Sequence, residues 1–108
     1  MIGVDIEGID RFKQFNYQPN HPFLNLVYTK KEQKYCFSKP NPAQHLAVRF
    51  AAKEAIIKAS ETPVHHNQIN ILNDKQGKPF VELSEQHEKV MVSLSHSQGY
   101  AIAFAMKK

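Results

Sequence analysis

Residues 49–59 read RFAAKEAIIKA. Alanine and isoleucine dominate and neither Gly nor Pro occurs, which is the composition of a helix. Four charges interrupt it: Arg49, Lys53, Glu54 and Lys58. At 100° per residue, Leu46, Phe50 and Ile57 fall on one side and Val48, Ala52, Ala55 and Ile56 on the other. Two narrow polar stripes run between them, Arg49 with Lys53 and Glu54 with Lys58. One reading is an i,i+4 Glu–Lys pair on a solvated face, worth about 0.2–0.5 kcal/mol. The other is a site, with Glu54 as metal ligand or base and Lys58 as anion binder. A second carboxylate, Asp5, lies in the alternating stretch IGVDIEG. If that strand packs near the helix, Asp5 and Glu54 converge. Two carboxylates with lysines nearby suit Mg²⁺ and phosphate, because hard oxygen ligands and substrate phosphates together complete an octahedral shell. Spacing alone leaves both readings open.

The elements that must position these groups are legible along the chain. Ile2, Val4 and Ile6 alternate with Gly3, Asp5 and Glu7, predicting a strand with one apolar face and Asp5 on the other. Residues 9–15 have a helical start that NYQPNHP breaks. Thr29-Lys30-Lys31-Glu32 has the form of a capping box opening a short helix to about Phe37. Asn41 and Pro42 suit the N-cap and first position of the main helix, which runs to about Ser60 before Pro63. Strands follow at 69–72 and 79–83 around the turn Asn73-Asp74-Lys75-Gln76-Gly77, then at 90–95 and 100–106. In the last, Ala101, Ala103 and Ala105 form a face of small residues on which the long helix can pack closely. The expected fold is α+β: an antiparallel β-sheet packed against a long central helix plus short helices, in a single domain over residues 1–108.

Lys and Arg exceed Asp and Glu by 14 to 10 in 108 residues, a mild basic excess that suits an anionic partner. Cys36 is the single cysteine, so no internal disulfide forms, which fits a reducing compartment. The N-terminal MIGVDIEGID meets acidic residues at once and has no basic n-region or long apolar run. Neither a signal peptide nor a membrane span is expected, and the default location is cytoplasmic. No RNA-binding fingerprint with interleaved aromatics occurs, so nucleic acid is not the expected partner. His65 and His66 read as loop histidines, since adjacent positions rarely chelate one ion. Cys36 reads as packing. Ser95 has no Asp–His relay at triad spacing.

Four stretches, GVDIEGIDRF, RFAAKEAIIKA, NDKQGKPFVEL and VSLSHSQGYAIAFA, together resemble holo-acyl-carrier-protein synthase, the small type of 4′-phosphopantetheinyl transferase. They occur in the family's order and cover about half the chain. The resemblance implies Mg²⁺-dependent transfer of the phosphopantetheine arm of coenzyme A to a serine of an apo acyl carrier protein, with release of 3′,5′-ADP. It implies that Asp5 and Glu54 hold Mg²⁺, that Glu54, directly or through a water, helps deprotonate the serine, and that Lys58 steadies the transferred phosphate. It places Arg49, His96 and Ser97 near the nucleotide end of coenzyme A, Gly77, Lys78 and Pro79 in a hairpin beside the nucleotide, and Arg11 against the acidic carrier. It also implies a homotrimer with active sites between subunits, consistent with a helix apolar on two sides. A non-catalytic relative that binds coenzyme A or a carrier, and a small basic anion- or nucleic-acid-binding domain, are the alternatives.

Overall fold

The computed structural model describes residues 1–83 and 89–107. Its centre is a close approach between helix and sheet. Helix α3 (Pro42–Ala59) lies on a three-stranded antiparallel sheet ordered β1 (Ile2–Gly8), β5 (Tyr100–Lys107), β4 (Val90–Ser97). The alanine face works as the sequence predicts: Ala101, Ala103 and Ala105 are fully buried, in the same two core clusters as Ala47, Ala51, Ala55 and Ala59 of the helix. On β1 the approach is closer still. A Cβ at Gly3 would stand 2.0 Å from the Ala55 carbonyl oxygen, so only glycine fits there. Antiparallel register then fixes which side chains face the helix. Gly3, Asp5 and Glu7 lie opposite Ala105, Ala103 and Ala101, which lie opposite Val92, Leu94 and His96.

This reverses the expected orientation of β1. Its apolar residues do not face the core: Ile2, Val4 and Ile6 are more than half exposed. The Gly-Asp-Glu face turns inward because only glycine admits the helix so near. The far side of the sheet is thus an apolar surface of Ile2, Val4, Ile6, Met91, Tyr100, Ile102, Phe104 and Met106. The helix, by contrast, is covered on both apolar sides by its own chain. One side packs with Phe12, Leu24 and Tyr28, the other with Ile69 and Ile71. A helix apolar on two sides therefore says nothing here about a neighbouring subunit.

The remaining elements brace α3. A 3₁₀ turn spans Ile9–Phe12. Helix α1 (Pro22–Val27), absent from the sequence reading, starts with Pro22 at its first turn, and the His21 ring accepts a hydrogen bond from the Leu24 N–H. Proline at the first helical position is compatible with a helix, so Pro22, which suggested a broken segment, starts one instead. Helix α2 (Lys30–Phe37) has the expected capping box, Thr29 with Glu32. Asn41 occupies the N-cap of α3 without a side-chain capping bond. Strands β2 (Ile69–Asn73) and β3 (Pro79–Leu83) form a separate two-stranded sheet. Their turn is closed by Asp74 Oδ1, which accepts from the N–H groups of Gln76 and Lys78, and by Gly77 at φ +86°.

A buried ion pair joins four of these elements. Lys53, placed by periodicity in a polar stripe with Arg49, is fully buried and donates to Glu32 Oε1, to the Val27 carbonyl at 2.6 Å and to the His66 carbonyl at 3.0 Å. Glu32 also accepts from the N–H of Thr29 and of Ile71. Burial pulls the Lys53 pKa down and the Glu32 charge opposes that. Glu32→Gln leaves the ammonium without its counter-charge, so the variant should lose about 3–5 kcal/mol of stability in urea unfolding.

Candidate active site

Lys58 and Glu54 do not pair with each other. Lys58 reaches instead across to β1, where its Nζ donates to Asp5 Oδ1 at 3.1 Å and to the Val4 carbonyl at 3.0 Å. Asp5 is nearly buried beneath it, with 11 % of its side chain exposed. Asp5 Oδ2 is buried, and no hydrogen-bond donor reaches it while Glu7 is ionised. A third carboxyl, Glu7, faces the same space. Its pKa is pushed up to about 7, first by burial, then by a shared proton and the negative charge of Asp5, with Glu54 adding to the effect and Arg11 opposing it. Three carboxyls therefore crowd one flank of α3, and their mutual repulsion is relieved by a proton or a cation. Glu54 has its own partner, His66, with Nε2 3.1 Å from Oε2.

Arg11 closes one end of this flank. Its Nη1 donates to Glu7 Oε1 at 2.9 Å, and its guanidinium lies over the rings of Phe12 and Phe50 at 4.9 and 5.1 Å. The guanidinium stays half exposed.

The opposite flank of α3 carries a different site. A cleft of about 400 Å³ is lined by Gln44, His45, Val48 and Arg49 of the helix, Tyr35 of α2, Asn73, Gly77 and Pro79 of the hairpin, and Ser93, Leu94 and His96 of β4. Arg49 is held in place by Asn73, whose Oδ1 accepts from Nη2 at 2.7 Å, and by the Tyr35 ring, 4.3 Å from its guanidinium carbon. Asn73 in turn donates to the Gly77 carbonyl, tying Arg49 to the hairpin tip. Arg49 Nε is buried with no partner. Burial, then the charges of Arg49, Lys39 and His96, hold the His45 ring below its usual pKa. The Arg49 cation in the cleft, with Lys39 near by, suits an anion. His96, at the mouth, is exposed and meets Gln44 at 3.2 Å.

Of the sequence-predicted residues, the structure thus brings Asp5, Glu54, Lys58 and Arg11 to one flank and Arg49, Gly77, Pro79 and His96 to the other. Lys78 and Ser97 are exposed and are not among the residues lining the cleft. Arg49 and Lys58 are nine residues apart, half a turn around the helix axis. Sequence reasoning missed Glu7, Asn73, His45 and His66. Only Glu7 left a signal, two residues from Asp5 on the same strand face.

Comparison with known proteins places this architecture. The family model for the 4′-phosphopantetheinyl transferase superfamily matches residues 1–105. The holo-[acyl-carrier-protein] synthase of Thermodesulfovibrio yellowstonii is 39 % identical, with 97 % of this chain and 95 % of that protein covered. That of Protochlamydia amoebophila is 43 % identical, covering 97 % and 94 %. The crystal structure of Helicobacter pylori holo-[acyl-carrier-protein] synthase in complex with coenzyme A superimposes with a TM-score of 0.84 over all of both chains, at 27 % identity. The Bacillus anthracis structure in complex with CoA (3′,5′-ADP) gives 0.82 over 98 % and 93 %, at 29 % identity. The chain belongs to the 4′-phosphopantetheinyl transferase superfamily. Within it, the chain is a transferase of the holo-acyl-carrier-protein synthase type. Among the described residues, no helix is long and apolar enough to cross a membrane.

Proposed function

We propose that the two flanks of α3 are the two halves of a site that transfers the 4′-phosphopantetheine arm of coenzyme A to a serine of an apo acyl carrier protein, releasing 3′,5′-ADP. The gathering of Asp5, Glu7, Glu54 and Lys58 on one flank is the observation that carries this reading. The serine hydroxyl attacks the phosphorus next to the pantetheine arm, a new O–P bond forms, and the bond to the 3′,5′-ADP oxygen breaks. Glu54, directly or through a water, takes the serine proton. Lys58 has the reach to donate to a phosphate oxygen, since its side chain is 56 % exposed despite its hold on Asp5. Such displacements are driven by positioning and charge neutralisation more than by protein nucleophiles.

Mg²⁺ fits the carboxylate flank. Asp5 Oδ2 is buried with no donor while Glu7 is ionised, and the Asp5 charge adds to the burial that raises the Glu7 pKa. In this reading the protein's share of the shell is Asp5 and Glu54; among the described residues, no three His, Cys, Asp or Glu side chains group as a ready-made metal cage. Bound there, Mg²⁺ would neutralise the pyrophosphate charge. Arg49, with Gly77, Pro79 and His96 around it, receives the nucleotide end of coenzyme A; Lys78 and Ser97 bind from the cleft margin. A cytoplasmic location completes the reading.

The active form is a homotrimer in this proposal. Two features support it. The apolar sheet face of eight large side chains is of a kind that marks an interface. The half-turn between Arg49 and Lys58 also keeps one copy's cleft from its own carboxylates, so one ligand spans both only if they come from neighbouring copies.

Incubation with coenzyme A, Mg²⁺ and an apo carrier should raise the carrier's mass by one phosphopantetheine. An unmodified carrier would leave only the non-catalytic alternative. Arg11 is placed against the acidic carrier. Arg11→Gln, which avoids a further carboxylate beside Glu7, should raise the KM for the carrier several-fold at low salt and leave that for coenzyme A unchanged. The difference should shrink as salt screens the attraction. An equal rise in both KM values would place Arg11 in the shared pocket.

A further inference from the structure

We propose that His66 is a positioning residue for Glu54, holding its carboxylate in one orientation with Oε2 occupied and Oε1 turned free for the reacting groups. The inference rests on the role given to Glu54 above. Glu54 is a third exposed, and its neighbour one turn on, Lys58, is engaged by Asp5 and the Val4 carbonyl. Among the described residues, the hydrogen-bond partner the structure gives Glu54 is His66, at 3.1 Å.

The ring is well anchored for this task. It stacks on Phe50 with 5.6 Å between centroids and 12° between planes. Its own carbonyl accepts from the buried Lys53 ammonium at 3.0 Å, which ties this backbone to the ion pair with Glu32. The 3₁₀ turn His66–Gln68 is closed by a reciprocal pair of bonds, the His65 N–H to Gln68 Oε1 at 2.8 Å and the Gln68 N–H to the His65 carbonyl at 3.0 Å. Ring, backbone and turn are thus fixed by separate contacts, and the imidazole presents Nε2 to the carboxylate from a rigid base. To bond a carboxylate, Nε2 must carry the proton. It does so in the Nε2–H neutral tautomer and in the cation, so the positioning needs no change of charge on the ring. Losing a partner that orients a metal ligand typically costs about 10–100-fold in metal affinity or activity.

Three variants decide the matter: His66→Ala, His66→Gln and Glu54→Gln. His66→Ala should lower kcat about tenfold and leave both KM values near those of the unaltered enzyme. Mn²⁺ binding, followed by electron paramagnetic resonance with no turnover, should weaken by a similar factor. His66→Gln retains an N–H donor at similar reach and should recover most of both losses. Full-rate transfer by His66→Ala with Glu54→Gln inactive overturns this inference alone. A His66→Gln as impaired as His66→Ala overturns it too, because ring packing rather than the hydrogen bond would then be what matters. A full-rate Glu54→Gln overturns the site reading and this inference with it.

Discussion

Asp5→Asn and Glu54→Gln are each expected to lower transfer by about a hundredfold or more while leaving the fold standing. Both substitutions keep the shape of the side chain and remove the negative charge that a Mg²⁺ ion and an incoming serine proton require. The sign of the stability change separates a site residue from a structural one. Asp5 shares its surroundings with Glu7 and Glu54, and the Glu7 pKa near 7 comes first from burial and then from Asp5, with Glu54 adding to it. Asn at position 5 relieves the repulsion. What it gives up is the pair with Lys58, whose side chain is mostly in water, and exposed pairs are worth about 0–1 kcal/mol. The melting temperature should therefore stay level or rise as activity collapses. Glu54→Gln keeps an acceptor for His66 and should behave alike. The measurement is the rate of mass gain by the carrier at saturating Mg²⁺, beside a thermal melt. Near-normal rates in both variants would remove Asp5 and Glu54 from the chemistry.

How far these groups could be read from the sequence depends on how local their structural causes are. The capping box at Thr29 and Glu32, the turn Asp74–Gly77 and the long helix are decided within a few residues, and all form as expected. The alanine face of β5 was also legible, because only small side chains admit a helix so close. Orientation of β1 was not. Alternation shows that a strand has two faces but not which one is covered, and the usual rule that the apolar face is buried fails here because the glycine at position 3 decides the contact. The fate of the helix charges was equally hidden. Periodicity put Lys53 beside Arg49 and Glu54 beside Lys58. The structure gives Lys53 to Glu32, Arg49 to Asn73, Lys58 to Asp5 and Glu54 to His66. Each partner lies at least twelve residues away, where no helical spacing reaches. The residue types already suggested Asp5, Glu54 and Lys58 as candidates and the family resemblance added Arg49; neither pointed to Asn73 or His66, which hold Arg49 and Glu54.

Phe104→Glu is expected to abolish transfer without unfolding the chain. Phe104 lies on the sheet face opposite α3, 38 % exposed, beside Val4 and among the other apolar side chains of that surface. A carboxylate there costs one copy little, since it points to water. In an assembly that buries this face, it is an unpaired charge in an apolar contact, a cost of several kcal/mol at each interface. Light scattering should report the mass of three chains for the unaltered protein and of one for the variant. Activity should fall with the assembly, because the cleft at Arg49 and the carboxylates at Asp5 and Glu54 then stay on opposite flanks of one helix. Mixing shows whether neighbours share a site. Arg49→Met spoils the cleft and Glu54→Gln spoils the carboxylate flank, and each alone should be inactive. If every site takes its cleft from one copy and its carboxylates from the next, as a head-to-tail ring requires, equal co-expression gives each contact two independent even chances of being intact. About a quarter of normal activity should return. If both halves belong to the same copy, every site carries one lesion and nothing returns. A trimer by mass with no recovery in the mixture would keep the assembly and reject the shared site. A monomer by mass with full activity would reject both.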